Sequence, residues 1–211
     1  MNSVRFFRAF VGIAGLGGLA LQYGLHLARA GESPVAATVG FFSYFTIIGN
    51  CIGAAVMLSA ALAPKSAFGR FSLRPGVRTA ATLYLVLIGF VYHAILAAQW
   101  NPQGLALFSD QILHTLTPLA FAVDWILFTE KRELRLRMAP AWAVVPALYG
   151  AYTMARGALT GLYPYWFFEV DNLGLVRVLM NMGILIAVFA IGGAGMVFLG
   201  RALEAVRRRG N

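Results

Sequence analysis

The sequence has 211 residues, of which 60% are hydrophobic and only 12% charged, with a formal net charge of +9. A soluble domain carries roughly 45–50% apolar and about 25% charged residues, so this surplus excludes a single water-soluble core. The basic excess sits in short segments between apolar runs, which favours membrane topology over nucleic-acid binding as its cause.

Six apolar runs follow in chain order: residues 6–27, 35–62, 78–98, 107–128, 140–159 and 173–203. Each is about as long as the roughly 20 residues that cross a bilayer as a helix, or longer. No polar stretch is long enough for a second domain, so residues 1–211 read as one all-α membrane domain of six transmembrane helices. The first run, with Arg5 and Arg8 at its start and Ala28-Arg29-Ala30 after it, also resembles a secretory signal with its cleavage site. A signal core spans roughly 7–15 residues, and this run is longer, which favours a retained first helix. The second run holds Cys51, the one cysteine, which excludes an internal disulfide and suits a small packing residue. The fifth run is the weakest, because it contains Pro146 and Arg156.

The connecting segments alternate in charge. Basic residues cluster at the N-terminus (Arg5, Arg8), in the second loop (Lys65, Arg70, Arg74, beside Arg78), in the fourth loop (Lys131, Arg132, Arg135, Arg137) and after the sixth run (Arg207, Arg208, Arg209). The first loop has only Arg29 with Glu32, the third has no basic residue, and the fifth carries Glu169 and Asp171, flanked by Arg156 and Arg177. Basic loops stay in the cytoplasm, so both termini and the even-numbered loops are expected there. The fifth loop also contains Gly161-Leu162-Tyr163-Pro164-Tyr165-Trp166-Phe167-Phe168. It reads either as an interfacial aromatic belt or as the cap of a cavity.

Polar residues inside the runs are informative because they are unfavourable in lipid. With that topology, Thr46 lies about 16 Å along the second helix and His114 about 10 Å along the fourth, at about 1.5 Å per residue. His26, His93 and Arg156 fall near the outer ends of their helices, so all five share the outer half of the bilayer. Ser43, Thr46 and Asn50, at i, i+3 and i+7, are expected on one helix face. Asp110, His114, Thr117 and Asp124 make a polar stripe on the fourth run. Asp124 either belongs to that stripe functionally or pairs with a loop arginine. Pro118 cannot donate to the carbonyl of His114, and a kink is expected there. The pattern suggests a polar pocket opening outward.

The runs Phe42-Ser43-Tyr44-Phe45-Thr46-Ile47-Ile48-Gly49-Asn50, His114-Thr115-Leu116-Thr117-Pro118 with Asp124-Trp125-Ile126-Leu127-Phe128, and Tyr163-Pro164-Tyr165-Trp166-Phe167-Phe168 occur in that order. They resemble, over most of the chain, the motifs of the androgen-induced-gene intramembrane threonine hydrolase family and its bacterial six-helix relatives. Animal members of that family cleave fatty-acid esters of hydroxy fatty acids with a threonine and a histidine. The resemblance implies Thr46 as nucleophile and His114 as base, a membrane lipid or fatty-acyl ester as substrate, and a bacterial plasma membrane as location. Ser43, Tyr44 and Asn50 mark the bacterial branch.

The chemistry is consistent with these residue types. A threonine hydroxyl needs a neighbouring base, and histidine, ordinarily titrating near 6.5, is the usual one. Asn50 or Ser43 would supply an oxyanion donor, Arg156 would hold a substrate carboxylate, and His93 and Asp110 would support the site. No cofactor or metal is required. Two other classes stay open. His93 and His114 at matched depth would suit haem or a metal, and a polar pocket would equally serve a transporter or a lipid-binding protein.

Overall fold

The computed structural model describes residues 2–31 and 33–209; Glu32, assigned above to the first loop, lies outside the described residues. Among these residues every regular element is helical. Five stretches are long and apolar enough to cross a membrane: Ser3–Arg29, Phe45–Leu62, Pro75–Gln99, Leu105–Phe128 and Leu175–Arg208. The chain is therefore a helical integral membrane protein. It divides into two compact units, residues 1–134 with 200–211, and residues 135–199.

In the first unit, α1 (Ser3–Arg29) starts where the Asn2 side chain accepts from the Arg5 N–H, satisfying one of the helix's orphan donors. Its lipid-facing side carries exposed Phe6, Phe10, Ile13 and Leu16, while Arg8, Gly12, Gly15 and Gly18 are buried. Small residues allow close helix approach without a hydrophobic driving force between helices. A Cβ on Gly18 would stand 2.6 Å from Ile112.

The second predicted helix, residues 35–62, is not continuous. It forms α2 (Pro34–Phe41) and α3 (Phe45–Leu62), separated by a turn at residues 42–44. The turn is closed by main-chain bonds from Ser43 to Gly40 and from Tyr44 to Phe41. Ser43 thus precedes α3 and does not share its face with Thr46 and Asn50, a correction to the expected i, i+3, i+7 alignment. Short α4 (Ala67–Ser72), capped by Ser66, leads to α5 (Pro75–Val91), which has proline in its first turn. Beyond α5, a π turn (Tyr92–Leu96) and a 3-10 turn (Ala97–Gln99) continue the same rod. The fourth span is likewise composite: α6 (Leu105–Gln111), a π turn (Ile112–Leu116) and α7 (Thr117–Phe128).

Neighbouring helices run antiparallel. Arg5 Nε donates to the Ala61 carbonyl at 2.7 Å at one end of the α1–α3 pair. At the other end, Tyr23 meets Thr38 at 2.8 Å and His26 meets the Ala37 carbonyl at 3.0 Å. For α5 and α7, Arg78 and Thr129 meet at one end, Tyr92 and Asp110 at the other. Leu19, Phe41, Ile47, Ile112 and Leu113 form a buried cluster against which Tyr23 and Cys51 pack.

In the second unit the fifth predicted helix is interrupted. Residues 139–160 form α8 (Ala139–Trp142) and α9 (Val144–Thr160), with a break at Ala143. The seventeen residues of α9 extend about 25 Å at 1.5 Å each, short of the roughly 30 Å hydrocarbon core. Gly161, at φ +70°, ends α9 in the left-handed conformation that glycine adopts readily. The aromatic segment, α10 (Val170–Leu173) and most of α11 (Leu175–Arg209) complete this unit. Asn181 of α11 donates to the Phe167 carbonyl at 2.9 Å, tying helix and aromatic segment together.

Candidate functional site

The site begins with a missing donor. Pro118 has no N–H for the His114 carbonyl. The chain widens into a π turn there, closed by the Thr117 N–H on the Ile112 carbonyl. Single π turns inside α-helices are frequent at functional sites. A second π turn, closed by the Ala97 N–H on Tyr92, lies on the neighbouring span. Gly89 faces the first turn, and a Cβ at this position would stand 3.0 Å from both the His114 carbonyl oxygen and the Pro118 ring. The two π turns carry His114 and His93.

Asp110, buried at 5% exposure, holds His114 through Oδ1···Nδ1 at 3.1 Å. Its second oxygen accepts from the Tyr92 hydroxyl at 2.7 Å. The Tyr92 ring lies flat on the imidazole, with centroids 3.8 Å apart and an interplanar angle of 11°. Three sides of His114 are thus fixed: Nδ1 by a carboxylate, one face by a ring, and the backbone by the π turn. Nε2 takes no hydrogen bond among the described residues, and the side chain is 15% exposed. A carboxylate on Nδ1 is the arrangement that orients an imidazole for proton abstraction at Nε2.

Thr46 occupies the first turn of α3, four residues before Asn50 and eleven before Met57, both buried. That spacing turns Thr46 toward the same interior. The Asn50 amide nitrogen donates to the carbonyls of Thr46, at 2.9 Å, and Leu113, at 3.2 Å. Its oxygen accepts from Thr117 at 2.6 Å. One side chain therefore ties the residue bearing the candidate nucleophile to the residue preceding the candidate base. Both amide hydrogens of Asn50 are engaged, so it is a tie between backbones and not an oxyanion donor. Ser43 likewise gives its hydroxyl hydrogen to the Val39 carbonyl at 2.6 Å. No hydrogen bond joins Thr46 to His114 in this structure.

His93 lies on the exposed side of its helix, with Nε2 3.0 Å from the Thr115 hydroxyl. His26 holds α2 and is remote in the hydrogen-bond pattern. The three histidines do not converge, and among the described residues no group of three His, Cys, Asp or Glu side chains is assembled that would hold a metal. Arg156 belongs to the second unit, where Nη1 donates to the Leu162 carbonyl at 2.7 Å.

Asp124, at 1% exposure, is not part of this constellation. Arg8 Nε bonds its Oδ1 at 2.8 Å, and Arg78 pairs with Oδ2 through Nη2. Arg78 Nε also donates to Thr129 at 3.1 Å. The pairing of Asp124 is with two helix arginines, and it locks α1, α5 and α7. Just beyond α7, the Lys131 ammonium donates to the carbonyls of Trp125, Ile126 and Thr129 at 2.7, 3.0 and 2.7 Å. Burial pushes this ammonium down to about 8, aided by the Arg207 charge. The three carbonyls are the compensation for burying it.

The sequence pointed to Thr46, His114 and Asp110, but not to Tyr92. The available signal was weak: a tyrosine beside a span histidine. No protein-family model, curated protein or solved structure matches this chain.

Proposed function

We propose that the chain is an intramembrane lipid-ester hydrolase, or an acyltransferase using the same pair, with Thr46 as nucleophile and His114 as base. The single observation that carries this reading is the Asp110 carboxylate on His114 Nδ1, with Nε2 left without a partner. The resemblance of the second- and fourth-helix motifs to the intramembrane threonine hydrolases points the same way. The alternation of basic loops supports six crossings with both termini in the cytoplasm of a bacterial cell, which puts the site in the outer half of the plasma membrane.

In this mechanism Thr46 Oγ attacks the acyl carbonyl as His114 Nε2 takes the hydroxyl proton. Asp110 stabilises the imidazolium and Tyr92 holds the other carboxylate oxygen in place. The break before α3 has a consequence here. It puts a helix N-terminus at the nucleophile, and the helix dipole there favours negative charge. In this mechanism that helix end stabilises the oxyanion, in place of Asn50 and Ser43. Collapse of the tetrahedral intermediate expels the alcohol, which receives the proton from His114 and leaves an acyl ester on Thr46. Water then completes hydrolysis, or a second alcohol completes transfer.

Labelling with a fluorophosphonate probe tests the pair. Thr46→Ala and His114→Ala abolish labelling and turnover, and Asp110→Asn lowers turnover by about 10²–10⁴-fold with the fold retained. Labelling that survives Thr46→Ala rejects Thr46 as the nucleophile.

A further inference from the structure

We infer that Gln111, Thr115 and His93 form a lipid-facing docking site for the headgroup of a neutral, hydroxyl-bearing acyl ester, next to His114. The inference rests on the reading of His114 as the base and names the substrate class that base would meet. Thr115 donates its hydroxyl hydrogen to Gln111 Oε1 at 3.1 Å. Its oxygen is then free to accept from His93, so the Nε2–H of His93 donates at 3.0 Å. In a neutral ring that leaves His93 Nδ1 as a bare acceptor. The Gln111 amide nitrogen keeps two hydrogens with no acceptor among the described residues.

These groups are not hidden. Gln111 and His93 are exposed, inside stretches long and apolar enough to cross the membrane. Around them Phe90, Leu107, Phe108 and Leu119 are also exposed. Polar groups facing hydrocarbon without partners are unfavourable by several kcal/mol, so an island of donors and an acceptor in an apolar surface needs an occupant. Its chemistry selects one. The Gln111 N–H groups match an ester carbonyl, the Nδ1 of a neutral His93 matches a hydroxyl, and the cluster has no arginine or lysine to recognise a phosphate. Position links the island to the chemistry: Thr115 follows His114 directly. Tyr92 touches His93 edge-on at 5.1 Å and His114 flat at 3.8 Å.

Photocrosslinking with a diazirine-bearing monoacylglycerol in phosphatidylcholine nanodiscs tests this, in the unaltered chain and in His114→Ala. Both are expected to label within residues 92–116. Gln111→Leu and His93→Phe are expected to lower that labelling about five- to tenfold, the loss of one or two hydrogen bonds, with unchanged thermal unfolding. For the unaltered His114, KM for the same lipid rises by more than kcat falls. Labelling indifferent to both substitutions overturns the proposal. So does equal labelling by a diazirine phosphatidylcholine, or a crosslinked dimer that Gln111→Leu dissolves while lipid labelling persists. Labelling that depends on Gln111 and His93 in a chain without esterase turnover upholds the docking site and rejects only the hydrolase reading.

Discussion

Asp110 and Asp124 lie fourteen positions apart on one composite helix and do opposite things. Asp110 meets a tyrosine and a histidine, and in the proposed reaction its charge would stabilise the imidazolium. Asp124 meets two arginines, so its charge is spent on holding helices. The sequence showed both as span carboxylates. It could not separate them, because the partners Arg8, Arg78 and Tyr92 come from other helices. The i, i+4 spacing of Asp110 and His114 was legible, since it lies within one helix. Asn50 was also legible as an inward polar residue, but not its use as a clamp on Thr46 and Leu113. Removing Asp124 strands two buried guanidiniums. Asp124→Ala is expected to destabilise the protein by about 3–5 kcal/mol, read as a large drop in thermal unfolding temperature in detergent. Loss of activity from this variant is expected to parallel loss of fold.

At the scale of elements, the informative departures from a regular helix are the two π turns and the break before Thr46. Pro118 announced one of them in advance, because a missing N–H must disturb the ladder. The π turn at Tyr92–Leu96 contains neither proline nor glycine, so nothing local announced it. The break at residues 42–44 falls on Phe-Ser-Tyr, an apolar and aromatic run that reads as continuous helix. Tertiary packing overrides that local preference. Pro118→Ala restores the donor that the His114 carbonyl lacks and favours an ordinary α turn. Loss of the extra residue rotates the preceding segment by about 100° relative to α7, since a helix turns once per 3.6 residues. The expected result is loss of the Tyr92–Asp110 and Ser109–Gln22 hydrogen bonds, a lower thermal unfolding temperature, and turnover reduced at least tenfold. Unchanged turnover with a regular helix would show that the π turn does not position His114.

For the whole molecule, the apolar composition and the charge alternation made the membrane class plain, and five long helices carry it. The fifth predicted run was the one exception, because Pro140 and Pro146 divide and shorten it. That leaves a topological test of direct value. Reporter fusions after Arg137 and after Gly161 are expected on opposite sides of the membrane, cytoplasmic and external. The same side for both would make α9 a non-crossing helix and turn the C-terminal arginines outward.

The clamp at Asp124 also sets an order of events during synthesis. Arg8 and Asp124 are separated by 116 positions, so the first helix leaves the ribosome long before its counter-ion exists. Until the fourth span is made, Arg8 must lodge at the interface, where a long basic side chain reaches the headgroups. Arg78 arrives next and repels it. Docking of the fourth span at that end therefore waits on a single late carboxylate, and a nascent chain arrested before Asp124 would join α1 to α3 through Arg5 and Ala61 while holding two cations without their counter-ion.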